Sequence, residues 1–182
     1  GYLVANNLTL QRGEAYTGGG IEVRDGGAEF NNVVIRDNSA VHGGGGIYIA
    51  ERGTVRMWRS SVLSNSGGNY GGGILNDGHL GVFESTIANN RANRAGGIQN
   101  EGRLNLRNST ISGNVVLSTL AGTGGIYQNN VAVLNNVTIT DNTGFGNNPD
   151  NRGGGLHVVS GTVTVITNSI IAGNHGGEGP ND

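Results

Sequence analysis

Apolar and polar residues of this chain alternate at every second position within short runs, and the runs recur along its length. In the segment Gly102-Arg103-Leu104-Asn105-Leu106-Arg107-Asn108-Ser109-Thr110-Ile111, Leu104 and Leu106 fall on one side and Asn105 and Arg107 on the other. A period of two marks a strand with one buried side and excludes a helix. A bend at Asn108 lets Ser109 and Ile111 face inward again.

Two landmarks repeat together. One is a glycine pair followed by an aliphatic residue, ending at Ile21, Ile47, Ile74, Ile98, Ile126 and Leu156. The other is an aliphatic residue three places before an asparagine: Ile35 to Asn38, Val62 to Asn65, Ile87 to Asn90, Ile111 to Asn114, Ile139 to Asn142 and Ile171 to Asn174. A partial copy, Leu8-Thr9-Leu10 running to Gly13, opens the chain. From the first landmark to the second the distances are 17, 18, 16, 16, 16 and 18 residues, and from each asparagine to the next landmark 9, 9, 8, 12 and 14. One part of the unit is nearly fixed and the other is a tolerant loop, as in repeat architectures that place insertions on one face.

Each unit predicts three short strands, one at the Gly-Gly-aliphatic segment and two around the bend. A single such coil cannot bury its inner side, so coils must stack at about the 4.8 Å strand spacing. The expectation is an all-β, single-stranded, right-handed parallel β-helix of about seven coils, with residues 1–182 forming one β-solenoid domain. The Leu-x-x-Leu-x-Leu signature and helical stretch of leucine-rich repeats are missing.

Stacking predicts columns. Six places before each landmark asparagine, and before Gly13 in the partial copy, stand Asn7, Asn32, Arg59, Glu84, Asn108, Asn136 and Asn168. These are expected to point inward as an amide ladder, with Arg59 and Glu84 on adjacent coils forming an ion pair. A catalytic role for Glu84 has less support, because no other chemistry converges on it.

The run Gly96-Gly97-Ile98-Gln99-Asn100-Glu101-Gly102, followed by Leu104-x-Leu106-x-Asn108-Ser109-Thr110-Ile111-x-x-Asn114, resembles the parallel β-helix repeats of large bacterial surface and secreted proteins. It is similar to the polymorphic outer-membrane-protein type, whose members carry Phe-x-x-Asn where this chain has Ile-x-x-Asn or Val-x-x-Asn. The resemblance implies adhesins, autotransporter passengers and other surface proteins. The same solenoid shape also serves pectinases and other polysaccharide-cleaving enzymes, so the fold alone does not fix an activity.

Composition narrows the options. The chain has 36 glycines but only two prolines and no Gly-X-Y period, which excludes collagen. Charged residues make up 13% and the net charge is −2, which argues against nucleic acid as a partner. There is no cysteine, hence no disulfide or thiolate metal site, and all eleven basic residues are arginine. No apolar run approaches a membrane span, so this segment is not expected to insert into a membrane, and no signal-peptide pattern is present.

The candidate chemistry is sparse. Asp25, Glu51, Asp77 and Glu101 each precede a turn glycine and could suggest a calcium ladder. Asp-Gly turn chemistry, with neutralisation by Arg24, Arg52 and Arg103, explains them better. His42, His79, His157 and His175 fall in four columns and predict no metal cluster. The glycines 43–46 lack the context of a phosphate loop and recur as repeat landmarks. No metal or cofactor is expected, nor is an enzyme.

The candidate ligand or partner surface is the outward column Trp58, Phe83 and Arg107 on successive coils, suited to a sugar ring or a partner chain. A threonine column, Thr86, Thr110 and Thr138 with Thr140, is too irregular for an ice-binding lattice and reflects strand propensity. The longer loops at 115–123 and 143–152 carry Leu117, Leu120 and Phe145. No capping helix is evident at either end.

The combined reading is a structural or adhesive module, extracellular or on the bacterial cell surface. Its expected partners are other copies stacked end to end into a fibre, or the rest of a longer surface protein, with glycan as a further partner. A carbohydrate-binding module is the alternative, and a polysaccharide-cleaving enzyme ranks below it.

Overall fold

In the computed structural model, which describes residues 1–118, 122–145 and 153–177, each strand pairs in parallel with its equivalent one coil away. The result is an all-β parallel solenoid. The Gly-Gly-aliphatic landmark forms one continuous column, with Ile21 beside Ile47, then Ile74, Ile98, Ile126 and Leu156. The second landmark does the same from Leu10 through Ile35, Val62, Ile87, Ile111 and Ile139 to Ile171. Between Ile21 and Leu156 the chain completes about five turns. The expected seven counted the partial coils that flank these five.

Three stacks form the walls, represented by Ile98–Asn100, by 103–107 and by 109–112, the last two lying on one bent strand, Arg103–Ser112. A fourth stack of short strands follows the asparagine, among them Ser39–Gly43, Ser66–Gly67, Arg91–Ala92 and Val115–Val116. The sequence did not predict it, because two-residue strands carry no readable alternation.

The bore is filled by aliphatic columns. Phe30, Met57, Val82, Leu106 and Leu134 stack with no exposed surface, and Ile47, Ile74, Ile98 and Ile126 do likewise. Burying each such side chain contributes about 2 kcal/mol.

The amide ladder is real but occupies a different column from the one expected. It consists of the landmark asparagines themselves. Asn90 Oδ1 accepts from the Asn65 backbone N–H at 2.9 Å and from Asn65 Nδ2 at 3.0 Å. Asn90 Nδ2 in turn donates to Asn114 Oδ1 and to the carbonyl of Val62, both at 3.0 Å. Every hydrogen-bonding position of that buried carboxamide is therefore used. The pattern repeats from Asn38 to Asn174.

The ladder, together with a glycine carbonyl of the next coil, explains the second glycine of each pair. A Cβ on Gly20, Gly46 or Gly73 would lie 2.9 to 3.0 Å from the ladder nitrogen of Asn38, Asn65 or Asn90. The two sequence landmarks are thus one packing unit: glycine vacates the volume that the carboxamide occupies.

The column expected to point inward lies outside. Asn7, Asn32, Arg59, Glu84, Asn108, Asn136 and Asn168 are all exposed and all adopt left-handed backbone, with φ between 46° and 54°. Asparagine is favoured there because it tolerates that region at a corner. Neighbours still bond along the surface, Asn32 to Asn7 at 2.8 Å and Asn136 to Asn108 at 3.1 Å. Arg59 and Glu84 form no ion pair. Both are solvated, so neither needs a neutralising partner. The inward residue at this bend is the next one, where Ser60, Ser85 and Ser109 each cap a backbone N–H one coil earlier at 3.0 to 3.2 Å.

A second internal ladder runs from Asn76 through Asn100 to Gln128 and meets Ile49 and Val158 at its ends. At the terminal rung the inward Ile166 and Ile171 are 41% and 43% exposed, whereas Leu134 and Ile139 one coil earlier are fully buried.

Replacing Asn90 with alanine strands two donors of Asn65 in a dry interior and is expected to lower unfolding free energy by about 3 kcal/mol. Asn108→Gly keeps an exposed left-handed corner and is expected to change it by less than about 0.5 kcal/mol. Urea unfolding of both variants is the check, and equal losses would refute the reassigned ladder.

Candidate functional site

The wall formed by strands 27–31, 54–58, His79–Phe83, 103–107 and 131–135 carries the predicted surface column. Phe83 lies in register between Trp58 and Arg107. The Trp58 and Phe83 rings are near parallel, with centroids 5.2 Å apart and planes inclined by 23°. Both rings are half-buried, and Arg107 is exposed. The structure therefore brings the three together as the register requires.

The sequence reading missed Gly81, two residues before Phe83 on the same outer side. A Cβ at Gly81 would meet the Phe83 ring at 2.9 Å, so the ring leans over the glycine. A glycine inside a strand often marks such a close approach and was the available signal. Around it lies an open cleft of about 310 Å³, lined by Arg56, His79, Phe83, Arg103 and Asn105, with Val131 and Val133 at one side. Arg56 and Arg103 flank Gly81 on the neighbouring coils.

Charge is unevenly spent over the surface. Among the described residues, ion pairs join Arg24 to Glu22 at 2.7 Å, Arg36 to Asp37 at 3.0 Å and Arg52 to Asp25 at 2.8 Å. Only Arg52 neutralises a turn carboxylate as expected. Arg24 turns to Glu22 instead, and Arg103 belongs to the cleft wall. Arg56, Arg103 and Arg107 form no ion pair among the described residues.

A second surface runs along the wall of the Gly-Gly-aliphatic column. His42 stacks on Tyr16 at 5.5 Å and meets the edge of Tyr70 at 5.1 Å. Arg94 lies 5.8 Å from the Tyr70 ring and 4.4 Å from that of Tyr127, and donates to the Tyr127 hydroxyl at 2.6 Å. Tyr127 stacks on His157 at 5.1 Å. This continuous line joins residues from different parts of the repeat unit, so no column in the sequence revealed it. A cleft of about 690 Å³ adjoins it, lined by residues including Tyr16, His42, Tyr48 and Asp77.

The acidic row borders that cleft. Burial raises the Asp77 carboxyl above its ordinary value, and the nearby Glu101 and Glu51 add to the effect. Burial, reinforced by the Asp77 carboxylate, pushes the Tyr48 hydroxyl up to about 12. The row is nonetheless tied by bonds: Tyr48 donates to Asp77 at 3.0 Å, and Gln99 and Asn129 both donate to Glu101. Among the described residues no group of three acidic, histidine or cysteine side chains is placed to hold a metal.

The threonines stack as Thr86, Thr110 and Thr138, between Ser61 and Ile170. Leu117 is exposed and Phe145 half-buried, while Leu120 and residues 146–152 lie outside the described residues. No helix is long and apolar enough to cross a membrane among the described residues. Comparisons with protein-family models, curated proteins and solved structures find no match.

Burial first, and Arg94 second, hold the His157 imidazole below its usual 6.5. A lowered value means that the unfolded chain takes up this proton more readily, so the contribution of His157 reduces stability as pH falls through 6.5. An NMR titration should place its midpoint below 6.5, and Arg94→Ala should move it upward. A midpoint unmoved by that substitution would show that Arg94 exerts no influence on His157.

Proposed function

We propose that the chain is a structural and adhesive module of an extracellular or bacterial-surface protein, akin to polymorphic outer-membrane-protein repeats. The observation that carries this reading is the contrast between the inside and the outside of the rod. The inward columns keep one chemical character over many coils, apolar in the bore and amide in the ladder, while the outward column of Trp58, Phe83 and Arg107 changes from coil to coil. A uniform bore gives a stiff shaft and a variable wall gives contact surfaces. The half-exposed inward residues Ile166 and Ile171 support a seat for another rung, supplied by a second copy or by the rest of a longer protein.

The stacked Trp58 and Phe83 favour a second reading, in which the adhesive contact is with carbohydrate. Cleavage of polysaccharide would draw on Glu51, Asp77 and Glu101. The bonds from Tyr48 to Asp77 and from Gln99 and Asn129 to Glu101 favour a bonded edge over free catalytic groups.

Electron microscopy of the purified chain, with light scattering over a range of concentrations, tests the assembly reading. Rods that lengthen with concentration are expected, and Ile166→Glu with Ile171→Glu should abolish the growth. A wild-type chain that remains monomeric up to high micromolar concentration would eliminate stacking between copies.

A further inference from the structure

We infer that the wall centred on Gly81 binds an anionic glycan, with Trp58 and Phe83 against the sugar rings and Arg56, Arg103 and Arg107 on its carboxylates or sulfates. This deepens the carbohydrate reading above and rests on it.

The first support is charge. On the outer rows of the three strands 54–58, His79–Phe83 and 103–107 stand three arginines and one histidine, with no carboxylate. Glu29, on the next strand beside Arg56, already accepts from the Tyr2 hydroxyl at 2.6 Å, and the Arg56 guanidinium also approaches that hydroxyl at the edge of the wall. Glu84 sits at the corner beyond Phe83 and forms no ion pair. Arg24, Arg36 and Arg52 elsewhere are taken up by ion pairs, while these three guanidinium groups are not. A planar guanidinium offers paired donors that match a carboxylate or sulfate.

Shape is the second support. Gly81 removes one side chain from the centre of the field and leaves the cleft of about 310 Å³. That volume is at the lower end for a small-ligand site, suited to one or two sugar units. Phe83 borders the cleft and Trp58 stacks beside it, so one residue of a polymer can occupy the notch while its neighbour meets a ring. Arg56 and Arg103 stand two rungs apart and two residues out of register, about 12 Å on the diagonal at the usual strand dimensions, so the charges of a chain laid obliquely across the wall would meet both.

Nucleic acid fits less well. Three arginines on a chain of net charge −2 offer little to a polymer whose affinity comes from many phosphate contacts.

The test uses pairs of ligands that differ in charge alone: polygalacturonate against its methyl ester, and dextran sulfate against dextran, with oligo-dT as a further probe. Titration calorimetry on the whole chain should show at least one charged polymer binding about tenfold or more tighter than its neutral twin, and weakening as salt rises. Trp58→Ala, and separately the triple change Arg56→Gln, Arg103→Gln and Arg107→Gln, should each weaken that binding about tenfold, whereas Arg12→Gln should not. Unchanged melting temperatures show that the surface variants fold.

The identity of the preferred polymer distinguishes carboxylate from sulfate recognition. Equal binding of charged and neutral twins, still dependent on Trp58, would overturn the anionic ligand and leave the carbohydrate reading standing. Failure of every glycan to bind would overturn both. Tighter binding of oligo-dT would replace the glycan with single-stranded nucleic acid.

Discussion

The structure depends on one interaction, the carboxamide ladder from Asn38 to Asn174. Each coil must turn sharply after an inward aliphatic residue, and the turn leaves a backbone N–H and a backbone carbonyl inside the bore. A buried amide that meets both, and its neighbours above and below, removes a penalty that would otherwise recur in every coil. The glycines follow from it, because Gly46 and Gly73 leave space in which a Cβ would crowd Asn65 and Asn90. The register follows too, since a coil displaced by one residue would present Ser64 or Ser66 where the ladder needs the Asn65 amide.

Legibility in the sequence tracked how many coils share a constraint. The aliphatic columns ending at Ile47 and Val62 were readable because the bore imposes the same demand on every turn. Asn108 was read as inward since its recurrence resembles that of Asn114. Left-handed backbone and burial both select asparagine, and a single sequence does not separate them. Ser109, the residue that does face inward at that bend, was placed correctly. The outer surface was only partly legible: Trp58, Phe83 and Arg107 share a column, whereas the cleft beside Phe83 is formed by Gly81 and Arg56 from a second column. The line from Tyr16 to His157 was hidden because it crosses from one stack to another.

Inside and outside of the rod are therefore governed by different rules. A change in the bore propagates to the coils above and below, while a change on the wall is felt by one or two neighbours. The replacement of a side chain by Gly81 and the leaning ring of Phe83 show how local such a change can be. This separation lets a solenoid vary its contacts without disturbing its shaft.

The ladder also has a direction. Asn65 gives both its backbone N–H and one Nδ2 hydrogen to Asn90, and Asn90 does the same to Asn114, so between carboxamides the donors point toward the later coil, while the second Nδ2 hydrogen returns to a backbone carbonyl of the earlier coil. The carboxamide ladder therefore presents unlike groups at its two ends. A rung that continues the ladder at either end arrives head to tail, which is a heterologous contact with no two-fold axis. Such a contact repeats as an open helix unless its rotation happens to close, so an open assembly that continues the ladder has no intrinsic length, and its size is set by whatever blocks one end.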